Sequence, residues 1–382
     1  MVKFKKLGDL CYISSGGTPK RTITDYWDNG KIPWVKISDI KSKHILNTDE
    51  RITKQGLENS SAKLFPKDTI VYTIFATVGE VGILDITAAT NQAIAGIQVK
   101  DRTQLRVDYL YYFLKSIKKS VQFLGRGVAQ NNINLSVLKS ISVPIPSFQE
   151  QTAIVKVLDS LNSQIKNKHK QLTLLSQLIK ARFVEMFGDL KFDTSLSFYV
   201  NSLVAGKSLA GKQESPNKVL NTGAVSYDYF RNDSKNLPLD YVPLEKNQIQ
   251  TSDLLISRMN TQELVGAVAY VWEAPKHTYL PDRLWKAKLK DNVNPIFIWQ
   301  ALIYPLSKIQ IRRMATGTSG SMKNISKNNF LAVKIPYAKI QKQNEFANFV
   351  QQVDKSKFEN IVYLNKTLSM KILSQLGDVS RD

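Results

Sequence analysis

Two stretches decide the reading of this chain. One runs Gly127-Val-Ala-Gln-Asn-Asn-Ile-Asn-Leu-Ser-Val-Leu-Lys-Ser-Ile-Ser-Val-Pro-Ile-Pro146, the other Gly317-Thr-Ser-Gly-Ser-Met-Lys-Asn-Ile-Ser-Lys-Asn-Asn-Phe-Leu-Ala-Val-Lys-Ile-Pro336. At an offset of 190, Asn134-Leu135-Ser136 faces Asn324-Ile325-Ser326, Val143 faces Val333, and Ile145-Pro146 faces Ile335-Pro336. Beyond each proline a helix opens on glutamines, Gln149-Glu150-Gln151 and Gln341-Lys342-Gln343. The likeness extends upstream. Lys67-Asp68-Thr69-Ile70-Val71-Tyr72 and Thr251-Ser252-Asp253-Leu254-Leu255-Ile256 each read as a turn and a strand, followed by Val81-Gly82-Ile83-Leu84 and Val265-Gly266-Ala267-Val268. A repeat spanning half a chain means one architecture written twice. Its earliest parts barely match, so one scaffold carries two different surfaces.

Outward from the first stretch lies a long helix. Ser147-Phe148-Gln149-Glu150 has the form of a capping box, in which the serine hydroxyl takes the third amide and the glutamate reaches back. Gly188 is placed as its terminator. Between them Leu158, Leu161, Ile165, Leu172, Leu175 and Ile179 alternate spacings of three and four, with Lys168 at the skipped place, which is a coiled-coil seam. A helix of about 38 residues is roughly 57 Å long, more than a small domain is wide. Its stripe calls for a partner, and the second copy offers Phe346, Val350, Val353, Ile361, Leu364, Leu368 and Leu376 over about Gln341–Leu376, slipping at Lys357. The other reading is a helix packed on its own domain's core. Residues 1–146 and 189–336 are β-rich, with helices expected at Asp108–Ser120 and around Ile296–Met314. The expected class is α+β: two globular α/β heads, residues 1–146 and 189–336, joined by two long antiparallel coiled-coil helices, residues 147–188 and 337–382, with an internal pseudo-two-fold repeat.

Of 382 residues, 53 are Lys or Arg and 32 Asp or Glu, a formal charge of +21. Such a balance favours a polyanion, because each phosphate met by a cation releases a condensed counterion. The lone cysteine, Cys11, excludes an intrachain disulfide and fits a reducing cytoplasm. No run approaches 18 apolar residues, so no membrane span is expected, and the basic start, Met1-Val2-Lys3-Phe4-Lys5-Lys6, leads into no signal peptide.

Five places together resemble the specificity subunits of type I restriction-modification systems. They are Leu7-Gly8-Asp9 leading to Ser15-Gly16-Gly17-Thr18-Pro19; Ile32-Pro33-Trp34-Val35 with Ile37-Ser38-Asp39; Ile145-Pro146-Ser147-Phe148-Gln149-Glu150-Gln151; Phe187-Gly188-Asp189; and the repeat. The resemblance implies that each head is a target recognition domain reading one half of a bipartite, asymmetric double-stranded DNA target, while the helices set the gap. It implies two modification subunits on those helices, methylating adenine with S-adenosylmethionine held by the partner and not by this chain, and, where present, a restriction subunit that cleaves elsewhere. The second copy departs from the family pattern: Tyr337-Ala338-Lys339-Ile340 replaces the capping box with a two-residue shift.

Catalytic sets are incomplete. Asn294-Pro295-Ile296-Phe297 is near the Asn-Pro-Pro-Phe loop of adenine methyltransferases but lacks the second proline, and a helix start through Pro295 explains it as well. Gly206-Lys207-Ser208 has Asn201 where a phosphate loop needs glycine. Pro281-Asp282 with Lys286 and Lys288 lacks a second acid, and His44, His169 and His277 have no metal-ligand spacing. Chemistry is assigned to a partner.

Candidate DNA contacts follow from donors and cations in turns. Gly16, Gly17, Thr18, Lys20 and Arg21 form a basic turn able to lay amides and charges on phosphates, or an ordinary exposed turn. Arg126, Gln130 and Asn131, with their counterparts Arg312, Arg313, Thr316, Ser319 and Lys323, suit guanine and adenine edges, or else join head to helix. Arg258, Asn260 and Arg283 stand at strand ends in the second head; Lys36, Tyr72 and Thr73 are further candidates in the first. Trp34, Trp272, Trp285 and Trp299 are assigned to cores, and Lys166, Lys168, Lys170 and Lys180 to a solvated helix face, a DNA-facing stripe or a docking surface. Two other readings stand beside DNA recognition: a self-contained DNA methyltransferase or nuclease, and a coiled-coil scaffold. The purified chain alone is expected to transfer no methyl group to DNA, and adding a cognate modification subunit to restore transfer; transfer by the chain alone favours the enzyme, and absence of salt-dependent DNA binding the scaffold.

Overall fold

A computed structural model describes residues 2–124, 132–317 and 322–363, with side-chain surroundings given for 2–122, 132–317 and 322–357. The chain divides into two compact units, whose described parts are residues 2–166 and 167–363.

In the first unit a five-stranded sheet runs in the order Cys11–Ser15, Ile94–Val99, Ile70–Thr73, Val81–Leu84, His44–Ile45. All pairs are antiparallel except the last. Every residue of Ile70–Thr73 is buried, because both faces of the strand are covered. Ile70 and Tyr72 share a core with Tyr109, Leu110 and Leu114 of the helix Val107–Ser116. Val71, on the opposite face, packs with Val35, Phe65 and Leu84. Phe65 and Val35 belong to a second sheet, ordered Glu50–Ile52, Ile32–Val35, Ala88–Thr90, Leu64–Phe65.

The second unit repeats this plan. Its main sheet is ordered Val200–Ala205, Leu284–Leu289, Leu254–Ser257, Val268–Tyr270, all antiparallel. Its smaller sheet, Ser234–Asn236, Lys218–Leu220, Thr278–Tyr279, has one antiparallel and one parallel pairing around the middle strand, as Glu50–Ile52, Ile32–Val35 and Ala88–Thr90 do. Asp68 and Ser252 hold the same left-handed turn, φ 66° and 71°, and their amides donate to Leu84 O and Val271 O.

The hydrogen bonds correct the register of the repeat. Asn134 caps the helix Leu135–Ser140, and its counterpart capping Lys327–Leu331 is Ser326, not Asn324. Ile133 N–H donates to Ile74 O and Ile325 N–H to Arg258 O; Leu7 N–H donates to Ile141 O and Leu196 N–H to Val333 O. The spacing over this stretch is therefore 192, and it removes the two-residue shift: Lys339 stands where Ser147 does, and both long helices start in step. Further upstream, Gly266 matches Gly79 rather than Gly82. Both have positive φ, 70° and 93°, and their amides donate to the strand ends Ser257 O and Thr73 O.

Two expected helices are each broken in two. Asp108–Ser120 becomes Val107–Ser116 and Lys118–Leu124. Ile296–Met314 becomes Pro295–Ile303 and Pro305–Met314, since Pro305 crowds the preceding residue out of the helical region and Tyr304 sits at φ −62°, ψ 142°.

The first long helix is Phe148–Phe187, 40 residues. Its capping box is present: Glu150 N–H donates to Ser147 Oγ at 3.2 Å and Ser147 N–H to Glu150 Oε2 at 2.7 Å. Gly188 ends it without a left-handed φ; the glycine is required because a Cβ would lie 2.5 Å from Val184 O. Ile154, Val155 and Leu158 pack on the first unit's core. Leu175, Ile179, Phe183, Met186 and Phe187 pack in the second unit's, with Phe346, Ala347, Val350 and Val353 of the helix Ile340–Tyr363. The two helices run antiparallel there. Phe183 and Phe187 both meet Phe346, ring centroids 5.5 Å apart, and Arg182 reaches Glu345 at 2.8 Å, whereas the earlier Gln171, Leu174 and Leu175 lie beside the later Ser356. Ile361, Leu364, Leu368 and Leu376 lie outside the described side chains.

One buried glutamine fastens each head to its long helix. Gln151 accepts the amide of Arg106, the residue before Val107–Ser116, and donates to Gln104 O and Pro146 O. Gln343 accepts the amide of Asn294, the cap of Pro295–Ile303, and donates to Ala338 O at 2.7 Å. Both glutamines are at most 2% exposed. An orphaned buried polar group costs about 1–3 kcal/mol, and Gln343→Ala orphans two. Its urea midpoint, followed by tryptophan fluorescence, is expected to fall clearly below wild type, while exposed Gln341→Ala shifts stability by less than about 0.5 kcal/mol. Equal effects of the two substitutions would remove the clamp from the account.

Candidate nucleic-acid interface

The basic turn of the first unit is more committed than its sequence suggests. Gly16 and Gly17 are buried, and their amides donate to Ile94 O and Thr90 O at 3.0 and 2.9 Å. A Cβ would meet Thr90 Oγ1 at 2.1 Å from Gly16 and Ser61 C at 2.3 Å from Gly17. The glycines allow close chain approach, and their amides are not available to a phosphate. Thr18 Oγ1 donates to Gln92 Oε1. Lys20 is exposed.

Arg21 and Lys36 converge on one carboxylate. Glu50 accepts from Arg21 through one oxygen and from Lys36 through the other at 3.0 Å. The hydrogen bond from Arg21 is the largest cause holding the Glu50 carboxyl below its ordinary range, and the bond to Glu50 raises Lys36. The Arg21 guanidinium lies 3.7 Å from the Trp27 ring centroid, and Trp27 meets Trp34 edge-on at 5.1 Å. Exposed Arg21 and half-buried Trp27 and Glu50 thus form one oriented group.

Tyr72 and Thr73 are corrected. Both are fully buried in the central strand, where Thr73 Oγ1 donates to Thr77 O and accepts from Glu80 N–H, shaping the hairpin turn. Burial pushes the Tyr72 hydroxyl up to about 12. A duplex does not reach either side chain in this conformation. Arg126, Gln130, Asn131 and Ser319 lie outside the described residues.

In the second unit Arg258, Asn260, Arg283 and Lys323 come together. Arg258 N–H donates to Arg283 O at 3.1 Å, and Asn260 faces Lys323 across a two-residue ladder. Asn260 and exposed Arg283 line a pocket of about 330 Å³ with Thr222, Gly223, Ser226, Met259 and Met322. Arg258 lies over Trp285, 5.7 Å from its ring centroid. Arg312 and Arg313 end Pro305–Met314 and are exposed; Arg312 donates to Glu263 O, and Gln262 to Arg312 O. Thr316 bridges Asn324, and Lys323 Nζ donates to Gly317 O at 2.6 Å. Arg283 and Arg313 have no ion pair among the described residues.

Sequence reading missed Trp27 and Glu50, and also Tyr227, Tyr229 and Arg231, whose guanidinium lies 5.2 and 5.1 Å from the two ring centroids. The signal was three aromatic residues followed directly by a cation in Tyr227-Asp228-Tyr229-Phe230-Arg231.

The near-catalytic motifs have structural employment. Asn294 caps its helix, its side chain accepting from Ile296 N–H, with Pro295 in the first turn. Gly206-Lys207-Ser208 is the second unit's version of Gly16-Gly17-Thr18: Ser208 Oγ donates to Asp282 Oδ1 as Thr18 does to Gln92. Lys286 is buried, on Asp253 at 3.2 Å and Gln248 O at 2.8 Å. Among the described residues no three His, Cys, Asp or Glu side chains gather as metal ligands, and no helix is long and apolar enough to cross a membrane.

Comparison with known proteins agrees with this layout. A type I restriction enzyme specificity subunit of Methanocaldococcus jannaschii is 32% identical over 190 residues, 48% of this chain and 43% of that protein. One from Escherichia coli is 26% identical over 170 residues, 42% of this chain and 41% of that protein. The chain thus spans less than half the length of these curated relatives. Among solved structures, the type I restriction-modification S subunit of M. genitalium superposes with a TM-score of 0.60 at 17% identity, covering 97% of this chain and 93% of that one. A chain from a structural study of complex assembly in the type I R-M system gives 0.56 at 14%, covering 98% and 95%. Both share the fold. The family described as the type I restriction modification DNA specificity domain matches residues 1–177 and again 207–369. Matched twice over most of its length, the chain belongs to that family.

Proposed function

We propose that this chain recognises a bipartite, asymmetric double-stranded DNA target within a type I restriction-modification complex and performs no bond-making itself. Residues 1–146 and 189–336 act as the two target recognition domains, and 147–188 and 337–382 as the spacer helices. Two modification subunits supply adenine methylation with their own S-adenosylmethionine, and a restriction subunit, where present, is directed by the same binding. The setting is cytoplasmic.

One observation carries this reading. The two units keep the same order of their shared strands, with one more edge strand in each sheet of the first, and the same turns and glutamine clamp, yet present unlike polar groups. The first offers Arg21, Lys36 and Glu50 beside Trp27, with Thr18 and Lys20 close by in sequence. The second offers Arg258, Asn260, Arg283 and Lys323, with Arg312, Arg313 and Thr316 on neighbouring elements. Arginine pairs with guanine, asparagine with adenine, and a carboxylate with the cytosine amino group; unlike sets on one scaffold suit unlike half-sites. The net charge of +21 supports phosphate contact in both.

Mapping methylated adenines in cells carrying the chain and its modification subunits tests the reading. Exchange of residues 189–336 for another head is expected to change one half of the methylated motif, and lengthening the first helix by a few residues the gap between halves. Both halves changing together would end the modular account. Arg283→Ala is expected to cost about 1–3 kcal/mol of DNA affinity and relax one position, whereas Lys20→Ala weakens binding uniformly and flattens its salt dependence.

A further inference from the structure

Tyr227 and Asp228 are successive non-glycine residues in the left-handed region, φ 69° and 65°. Left-handed backbone is unfavourable for a residue with a Cβ, more so for tyrosine than for aspartate, and such strain persists only where surrounding structure over-determines it. The holding contacts are all at Asp228. Its Oδ1 accepts Val268 N–H at 2.9 Å and the ammonium of Lys308, itself 8% exposed and also donating to Gly266 O. Trp299 Nε1 donates to Asp228 O and Val268 O, both at 3.1 Å. The core thus fixes Asp228, while the preceding ring stands at the surface: Tyr227 is 63% and Tyr229 49% exposed. Arg231 lies over both rings and is tied back through Ala224 O and Gly223 O. Gly223 and Ser226 also line the pocket of Asn260 and Arg283, so the turn stands at the edge of the cluster already described. The equivalent place in the first unit, after Ile32–Val35, is the short turn Ile37–Asp39 without positive φ.

The geometry points to Tyr227 as a specificity-determining wedge that packs against a base step beside the bases met by Asn260 and Arg283. This inference rests on DNA reading by the second unit. An aromatic ring held rigidly outward, flanked by a guanidinium, fits a partly unstacked base step with its phosphate, and such a contact selects sequence through deformability rather than through hydrogen bonds.

Tyr227→Gly is the decisive variant, because glycine takes φ 69° without strain and removes only the ring. The complex of the full chain with its modification subunits is assayed on duplexes carrying the methylated motif, with 2-aminopurine placed in turn through each half. Wild type is expected to raise fluorescence at one step of a single half. Tyr227→Gly is expected to melt no lower than wild type, abolish that rise, slow methylation roughly 5- to 100-fold, the effect of losing one base–aromatic stack, and relax base preference in that half only. Tyr227→Phe is expected to keep the signal. Unchanged rate, motif and fluorescence in Tyr227→Gly would overturn the wedge. Failure of wild type itself to bind DNA in a salt-dependent way would instead overturn the reading beneath it.

Discussion

The architecture hangs on a hydrogen bond from a main-chain amide to a buried glutamine, made once in each half. Arg106 N–H to Gln151 and Asn294 N–H to Gln343 tie the first turn of each head's helix to the first turn of a long helix. A helix N-terminus has amides with no partner within the helix, and burying one without a partner is costly. Glutamine answers that need with its carbonyl while its amide takes up carbonyls of the approaching chain. The joint is thereby fixed in position and angle by polar groups inside an apolar setting, and the surfaces at the far ends of the sheets are free to differ.

Much of the fold was legible in the sequence because it rests on local chemistry. Ser147 and Glu150 announce the long helix, Pro295 a second helix, and repeated turns flag a duplicated plan. The register was not legible. Asn134-Leu135-Ser136 and Asn324-Ile325-Ser326 look alike, but caps are interchangeable between asparagine and serine, so Ser326 takes the role of Asn134 and the likeness slides by two residues. The Val-Gly pairs mislead in the same way, since Gly266 is needed for a left-handed turn and Gly82 sits within a strand. Pro305 signals its own helix break, and the pattern of apolar residues around it masked that signal.

The candidate interface was legible only in part, for a related reason. Polar residues near a strand end are equally good at binding outward or bracing inward, and composition does not say which. Thr73 braces, as do the amides of Gly16 and Gly17. Tyr72 is buried because the helix Val107–Ser116 covers its face of the sheet, and a second sheet covers the opposite face at Val71. Arg21 is exposed and Lys36 half-buried, and their orientation comes from Glu50 and Trp27, which only folding brings near. Arg283 and Asn260 share a pocket although 23 positions separate them.

The hydroxyl contacts of Thr18 with Gln92 and Ser208 with Asp282 carry a historical consequence. None of the four residues is shared between the halves, yet the bond occupies the same place in each. Geometry has outlived identity since the ancestral duplication, so residue-by-residue similarity understates the kinship of the two halves. A structural yardstick of this sort, an invariant bond spelled in varying letters, can align distant heads whose sequences have drifted past recognition.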